Sequence, residues 1–357
     1  MLEIKNKTIL LFGYYGKSNI GDDIMLKNLT EILVTKKAKK IVVLVDKSFD
    51  LEENFYTNII FLKGLKKNFF RFLYFLVKLD YFIWGGGTCF FDNPSISGLK
   101  ELLYFTKIRK KFSESRKNFF IGIGVEKVNN NREIIIKILD NTDGIILRDQ
   151  KSFENLINLY PSISKKLDFT EVFNDMVLMN ATNEIIKKDS KEKEKSNKSY
   201  ITFSGHYKYE NNNDVIQHCA TELEKILDRL NINVLVFIPA KYDINGDSNF
   251  HYKIKKTLQS SEKYILETPI LSNYKDYMQT LSKSQKHIGM RLHSLILSDI
   301  LMVPNIALAY QEKIKQYNEN AFKILDKWGE EEFLLKNEEE ITNTLLNNSK
   351  LYENFFK

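Results

Sequence analysis

Cysteine is nearly missing from this chain of 357 residues: Cys89 and Cys219 fall in different halves, which gives neither a disulfide framework nor a metal-ligand pair. Five prolines and fifteen glycines exclude collagen-like and proline-rich disordered compositions. Long hydrophobic runs are missing too. The most apolar stretch, NFFRFLYFLVKLDYFIW at 68–84, is broken by Arg71, Lys78 and Asp80, well short of the roughly 20 residues a membrane span requires. MLEIKNKTILLFGYYG at the start has no apolar core followed by a small-residue cleavage site, so no signal peptide is read there and a reducing cytoplasm is the expected compartment. Neither GxGxxG, a Walker lysine loop nor HExxH occurs, and the histidines at 206, 218, 251 and 287 show no metal spacing, so a metal site is not expected. The formal charge is +7, from 53 basic against 46 acidic residues. The basic residues are scattered among asparagines and isoleucines rather than gathered on one aromatic-interleaved stripe, which argues against a nucleic-acid partner.

What is present suits packed globular cores: 43% apolar and 13% aromatic residues. The length exceeds the comfortable size of one hydrophobic core, so two domains of roughly 150–180 residues each are expected. Short β-branched runs alternate with helical patterns. TILLFG (8–13) precedes a helix over 22–37; KIVVLV (40–45), a helix at 69–78, YFIWGGG (81–87), a helix at 99–112, NFFIGIG (118–124), a helix at 131–141 and DGIILRD (143–149) follow. Five strands separated by helices imply a parallel sheet. The charged run KKDSKEKEKSNK (187–198) reads as a solvated linker, and places the boundary between about 175 and 198.

A second series has strands at 199–205, 232–240, 264–268, 286–290 and 304–310, with helices over 215–230, 249–259, 273–284 and about 292–302. The expected fold class is α/β, with two Rossmann-like doubly wound domains facing a central cleft. Residues 1–180 form the first domain, 199–330 the second, and 331–357 a helical tail. Such folds bind ligands in loops at the carboxyl ends of strands, so function is sought there. The stretch at 68–84 reads as a buried helix leading into a strand, and its aromatic and basic make-up also suits contact with a membrane surface.

Five loops stand out. GYYGKSNIGDD (13–23) combines glycines for tight turns with Asp22 and Asp23 at a helix start, where carboxylates would repel phosphate; they cap the helix, or Asp22 serves hydroxyls as an acid or base. GGGTCFFD (85–92) exposes successive amides able to cradle an anion or admit a bulky ligand, and Asp92 closes it as a cap or as a hydroxyl partner. GIGVE (122–126) is a weaker glycine signal. LRDQKSF (147–153) offers Arg148, a bidentate grip for carboxylate or phosphate, or a helix-start pair with Asp149 on the surface. HIGMRLHSL (287–295) puts Arg291 in a turn and His293 in the first turn of a helix, placed to meet an anion and to act as acid or base. Lys313, after the next strand, adds a cation.

These loops, with NDMVL (174–178) and RLHSLILSDILMVPNIALAY (291–310), resemble those of the polysaccharide pyruvyl transferase family over about residues 8–330. Asp23 stands where many relatives carry glutamate, and Met176 follows Asp175 where proline is usual. The resemblance implies a GT-B-like enzyme that moves the pyruvyl group of phosphoenolpyruvate onto two hydroxyls of a sugar in a cell-surface polysaccharide or its precursor, forming a cyclic ketal without cofactor or metal. Arg148, Arg291 and Lys313 would then bind the donor, and His293, with Arg291 and Asp22, would carry the chemistry. Asn19, Gly85, Gly86, Gly87 and Asp92 would hold the acceptor, a sugar or a lipid-linked oligosaccharide, the latter implying the inner face of the cytoplasmic membrane. The alternatives are a nucleotide-sugar glycosyltransferase on the same fold and a non-catalytic binding protein of a glycan pathway.

Overall fold

The computed structural model describes residues 1–46, 58–92, 97–113, 115–179, 199–243, 246–258 and 263–357. The chain divides into two compact units, one of Met1–Lys17, Asp22–Met179 and Asn347–Lys357, the other of Ser18–Gly21 and Asn180–Leu346. The linker expected at 187–198 lies outside the described residues. Two short exchanges, Ser18–Gly21 and the chain's last eleven residues, depart from a single cut in the sequence.

The first unit is built on β1 (Thr8–Phe12), β2 (Lys40–Val45), β3 (Ile59–Lys63), β4 (Tyr81–Gly85), β5 (Thr88–Phe90), β6 (Lys117–Val125), β7 (Gly144–Leu147) and β8 (Phe169–Val172). Its helices are α1 (Ile20–Thr35), α2 (Phe69–Lys78), α3 (Ser97–Phe112), α4 (Arg132–Leu139), α5 (Gln150–Leu159) and α6 (Ile163–Lys166). The strands run parallel in the order β3-β2-β1-β4-β6-β7-β8, with β5 paired to β6. This doubly wound order reverses direction between β1 and β4, the place where such sheets open for ligands. Sequence reading anticipates five of these strands. β3, the three-residue β5 and β8 go beyond it, while α5 starts at the Arg148–Asp149 pair, its first turn capped by Asp149 accepting from the Ser152 amide.

Both faces of the sheet are covered, so its strands are near-continuous apolar runs. An aromatic cluster fills one side: the rings of Phe12 and Trp84 lie 5.0 Å apart and those of Phe72 and Phe105 4.9 Å. Arg109 is buried there and closes the end of α2, donating to the carbonyls of Leu76, Leu79 and Asp80 and to Asn118 Oδ1. The Leu76 and Leu79 carbonyls are among the acceptors a helix end leaves without an internal partner.

The second unit contains β9 (Ile201–Ser204), α7 (Asn213–Leu230), β10 (Val234–Phe237), α8 (Ser248–Leu258), β11 (Ile265–Glu267), α9 (Tyr274–Ser282), β12 (Lys286–Gly289), α10 (Leu292–Ile300), β13 (Asn305–Ala309), α11 (Glu312–Tyr317) and β14 (Phe322–Lys323). Its parallel order, β11-β10-β9-β12-β13-β14, is the Rossmann arrangement. The terminal helix α12 (Glu338–Phe355) begins seven residues after the expected tail boundary, and its part from Asn347 belongs to the first unit. There Asn348 donates to the Asp175 carbonyl at 3.1 Å. No helix among the described residues is long and apolar enough to cross a membrane.

Candidate active site

In the second unit, four strand exits converge. β12 ends at Gly289, and Arg291 stands in extended backbone as the residue before α10. Its guanidinium binds Asp247 through both edges of the carboxylate, Nε to Oδ2 at 3.1 Å and Nη2 to Oδ1. Asp247 is fully buried, and it also accepts from the Tyr207 amide at 3.0 Å and the Lys241 amide at 2.9 Å. One carboxylate thus ties the exits of β9, β10 and β12 together. Burial works against the charge on Arg291, but the Asp247 charge and hydrogen bonds more than offset it, and the pKa rises.

Around this pair stand Tyr207, with the Arg291 guanidinium 5.2 Å and the Lys241 ammonium 5.1 Å from its ring centre, and Tyr310, whose ring centre lies 6.0 Å from the Lys313 ammonium. His206 sits among them, 5% exposed, its ring 4.1 Å from that of Tyr310. Its Nδ1 accepts from the Lys208 amide at 3.1 Å, so a neutral ring carries its proton on Nε2. Burial, followed by Arg291, Lys313, Lys208 and Lys241, pushes its pKa down to about 2. Four cations acting on one neutral imidazole mark a site of positive potential, offset by Asp247 and by Asp243, which pairs with Lys241 at 3.4 Å.

His293 lies in the first turn of α10, half-buried, against the backbone of Gly21. A Cβ at Gly21 would fall 1.8 Å from His293 Nδ1, so only glycine permits this approach. The segment bearing Gly21 is stitched to the exit of β10 by an antiparallel bridge from Asn19 to Lys241 and by the Ile20 amide donating to Ala240. Asn19 turns its side chain to the Gly21 amide, 3.2 Å away.

In the first unit, Gly86 and Gly87 adopt the left-handed region, at φ +76° and +74°, which side-chain-bearing residues rarely enter. The Gly86 amide donates to Ile121, and the Gly85 carbonyl accepts from the Tyr15 hydroxyl at 2.6 Å. The buried carboxylate of Asp22 lies beside Gly87, 3.4 Å from where a Cβ would be. With burial and Cys89 ahead of it, Asp22 contributes to raising the Tyr14 phenol to about 12. A carboxylate next to the loop repels an anion and suits a hydroxyl. Arg148 donates to Thr88 Oγ1 at 3.1 Å and faces Asp149 at 3.3 Å and Asp175 at 4.0 Å. Asp92 accepts from the amides of Asn129, Asn130 and Asn131 at 2.8–3.1 Å.

The structure therefore brings Arg291 and Lys313 to one place, sets Asn19 on the segment that packs against His293, and lines Asp22, Gly87 and Arg148 along another strand exit. Asp92 faces the loop before α4 instead. Sequence reading missed His206, Lys208, Lys241 and Asp247. GHYK follows β9 directly and AKYDINGD follows β10, so the strand-exit rule that selected Arg291 applies equally to both.

Residues 19–312 match the polysaccharide pyruvyl transferase family, while no curated protein matches the chain significantly. Among solved structures it is similar to UDP-GlcNAc 2-epimerase from Neisseria meningitidis bound to UDP-GlcNAc, with 14% identity over 98% of this chain and 93% of that one and a TM-score of 0.56. UDP-GlcNAc 2-epimerase from Methanocaldococcus jannaschii shares 11% identity over 97% and 92%, at 0.55. An α-glucosyltransferase in complex with UDP shares 12% over 97% and 90%, at 0.53. At such identities the likeness speaks for the GT-B-like fold alone. The match that spans the glycine loop, Arg148, His206, Asp247 and the Arg291–His293 turn is the family's, and the chain belongs to the polysaccharide pyruvyl transferases.

Proposed function

We propose that this protein transfers the pyruvyl group of phosphoenolpyruvate to two hydroxyls of a sugar in a surface polysaccharide or its precursor, forming a cyclic ketal and releasing phosphate. The observation that carries this reading is the cluster of cations around buried His206: Arg291 and Lys241 over the Tyr207 ring and Lys313 beside the Tyr310 ring that packs against the imidazole. A carboxylate and a phosphate on a three-carbon donor match such a cluster. Arg291, held by Asp247, presents a planar fork, the lysines add point charges, and the Nε2 proton of His206 is a further donor.

The reaction needs one proton at the donor's methylene carbon, making it a methyl group, and one sugar oxygen bonded to the central carbon. The carbon–phosphate oxygen bond then breaks, the second hydroxyl adds, and the two hydroxyl protons balance the methyl proton and the released phosphate. His293 is assigned the proton transfer and Asp22 the sugar hydroxyl. Arg148 already faces two carboxylates and braces Thr88 behind the glycine loop. Asp92 fixes the loop before α4, so both act here by positioning. Asn19 and the Gly85–Gly87 backbone complete the acceptor assignment, and no cofactor enters these steps.

The test is mass spectrometry of sugar acceptors incubated with phosphoenolpyruvate, looking for the pyruvyl increment together with released phosphate. Arg291→Lys should weaken phosphoenolpyruvate binding by roughly 10–100-fold, because an ammonium cannot reproduce the fork held by Asp247. Thermal stabilisation by a nucleotide sugar with none by phosphoenolpyruvate would overturn the reading in favour of glycosyl transfer.

A further inference from the structure

The helix α2 has two unlike faces. Phe72 and Leu76 are fully buried against the first unit's core, while Phe70 and Tyr74, one turn apart, are 85% and 58% exposed. Arg71 and Lys78 share that outer side and are exposed. From Leu65 to Leu79 the chain carries Lys66, Lys67, Arg71 and Lys78 and no acidic residue. On α3, Tyr104 and Phe112 are 52% and 58% exposed, beside exposed Lys100, Lys107 and Lys111, with Glu101 the one acidic residue of that helix. Between the two helices lies an open groove of about 560 Å³, with Phe69, Tyr104 and Phe105 among its walls and Lys66 and Lys100, against the single Glu101, alongside.

Large aromatic side chains left this open on a soluble face are unusual, and their grouping with cations of one sign says what covers them. Aromatic rings favour the headgroup boundary of a bilayer, where the ring is desolvated and polar edges stay wet, while lysine and arginine meet anionic headgroups. The face is also firmly built. Arg109 ties the end of α2 to the sheet, so the exposed side does not belong to a frayed helix.

The geometry points to a peripheral membrane-docking face on the first unit, in which Phe70 and Tyr74 enter the interfacial layer of an anionic bilayer and Lys66, Lys67, Arg71 and Lys100 hold its headgroups. The assignment is independent of the reaction proposed above, since ketal formation on a water-soluble acceptor does not require it. The full chain should sediment with vesicles of equal parts phosphatidylglycerol and phosphatidylcholine, and not with phosphatidylcholine alone, and salt should weaken the binding. The double variant F70A/Y74A should lose at least about tenfold in partitioning, and K67E/R71E a similar factor, with unchanged circular dichroism because all four positions are exposed or outside the core. The proposal is overturned if the wild-type chain stays in the supernatant with anionic vesicles, or if F70A/Y74A sediments like the wild type. A concentration-dependent dimer abolished by F70A/Y74A, without vesicle binding, also overturns it and gives the face to a second copy of the chain.

Discussion

Acid should unfold the second unit before the first. All five histidines, at 206, 218, 251, 287 and 293, fall in the second unit. Three are buried: His206, His251 and His287, at 5%, 1% and 0% exposure. Burial and nearby cations push His206 down to about 2. Burial, then Arg291, pushes His251 to about 3, and burial pushes His287 to about 3 against an opposing hydrogen bond from Thr202. A histidine whose folded pKa lies below the ordinary 6.5 is neutral in the fold, whereas the unfolded chain takes up a proton as the pH drops below that value. Stability from these groups is therefore complete above about pH 6.5 and is lost on acidification.

At pH 5 each buried histidine costs about 2 kcal/mol relative to neutral pH. Three together cost about 6 kcal/mol, comparable with the whole stability of an ordinary domain. The slope between pH 6 and 5 should approach about 4 kcal/mol per pH unit, three protons' worth. Carboxylates with lowered pKa, such as Glu222 and Asp228, add to the loss only at lower pH. The chain has two tryptophans, Trp84 in the first unit and fully buried Trp328 in the second. Denaturant unfolding followed by Trp328 fluorescence in a Trp84→Phe background, repeated across pH, reads the second unit. The reciprocal Trp328→Phe chain reads the histidine-free first unit. A Trp328 slope below that of a single proton, or equal acid sensitivity of the two units, refutes the reasoning.

Replacing Asp247 by Asn removes the charge that holds half-buried Arg291 and opposes an amide proton to donors already pointing at it. The expected loss is about 3 kcal/mol of second-unit stability and at least about tenfold in phosphoenolpyruvate affinity, read by urea unfolding and calorimetry; wild-type affinity would remove Asp247 from the donor site. Gly21→Ala forces the His293 ring aside, since the new methyl would meet it at 1.8 Å. Turnover should fall about 100-fold with donor affinity nearly kept, a split visible in kcat against KM, and equal losses in both would assign Gly21 a folding role instead.

Strands with dense β-branched runs were readable because parallel strands covered on both faces must be apolar throughout. KIVVLV and INVLVF declare themselves in this way. β8, FTEV, is only partly covered at the sheet edge, and β5 has three residues; neither carries enough apolar pattern to register. The exchanges of Ser18–Gly21 and Asn347–Lys357 left no local signal, because they depend on contacts such as Asn348 with Asp175 that join distant parts of the chain. Arg291 was legible because arginine beside histidine at a strand exit is conspicuous in a lysine-rich sequence. Asp247 was not. It lies ten residues past β10, inside an ordinary polar loop, and its role comes from Arg291, 44 positions on.

That hidden carboxylate also explains how a basic site can be ordered before its ligand arrives. Arg291 alone, half-removed from water among Lys241, Lys208 and Lys313, would be repelled by its neighbours and free to swing toward solvent. Asp247 answers the repulsion on one edge of the guanidinium, and through the Tyr207 and Lys241 amides it fixes two further strand exits in the same act. The arginine–aspartate pair is nearly neutral as a unit, so the attraction left for an anion comes from the three lysines, while the arginine contributes shape. His206 fits the same logic. Held neutral by burial first and by those cations after it, it adds an N–H donor without adding repulsion, and an anion bound beside it would draw its pKa back up. On the donor assignment proposed above, recognition in this unit would separate charge, carried on the lysines, from direction, carried by a buried carboxylate that itself never needs to touch the substrate.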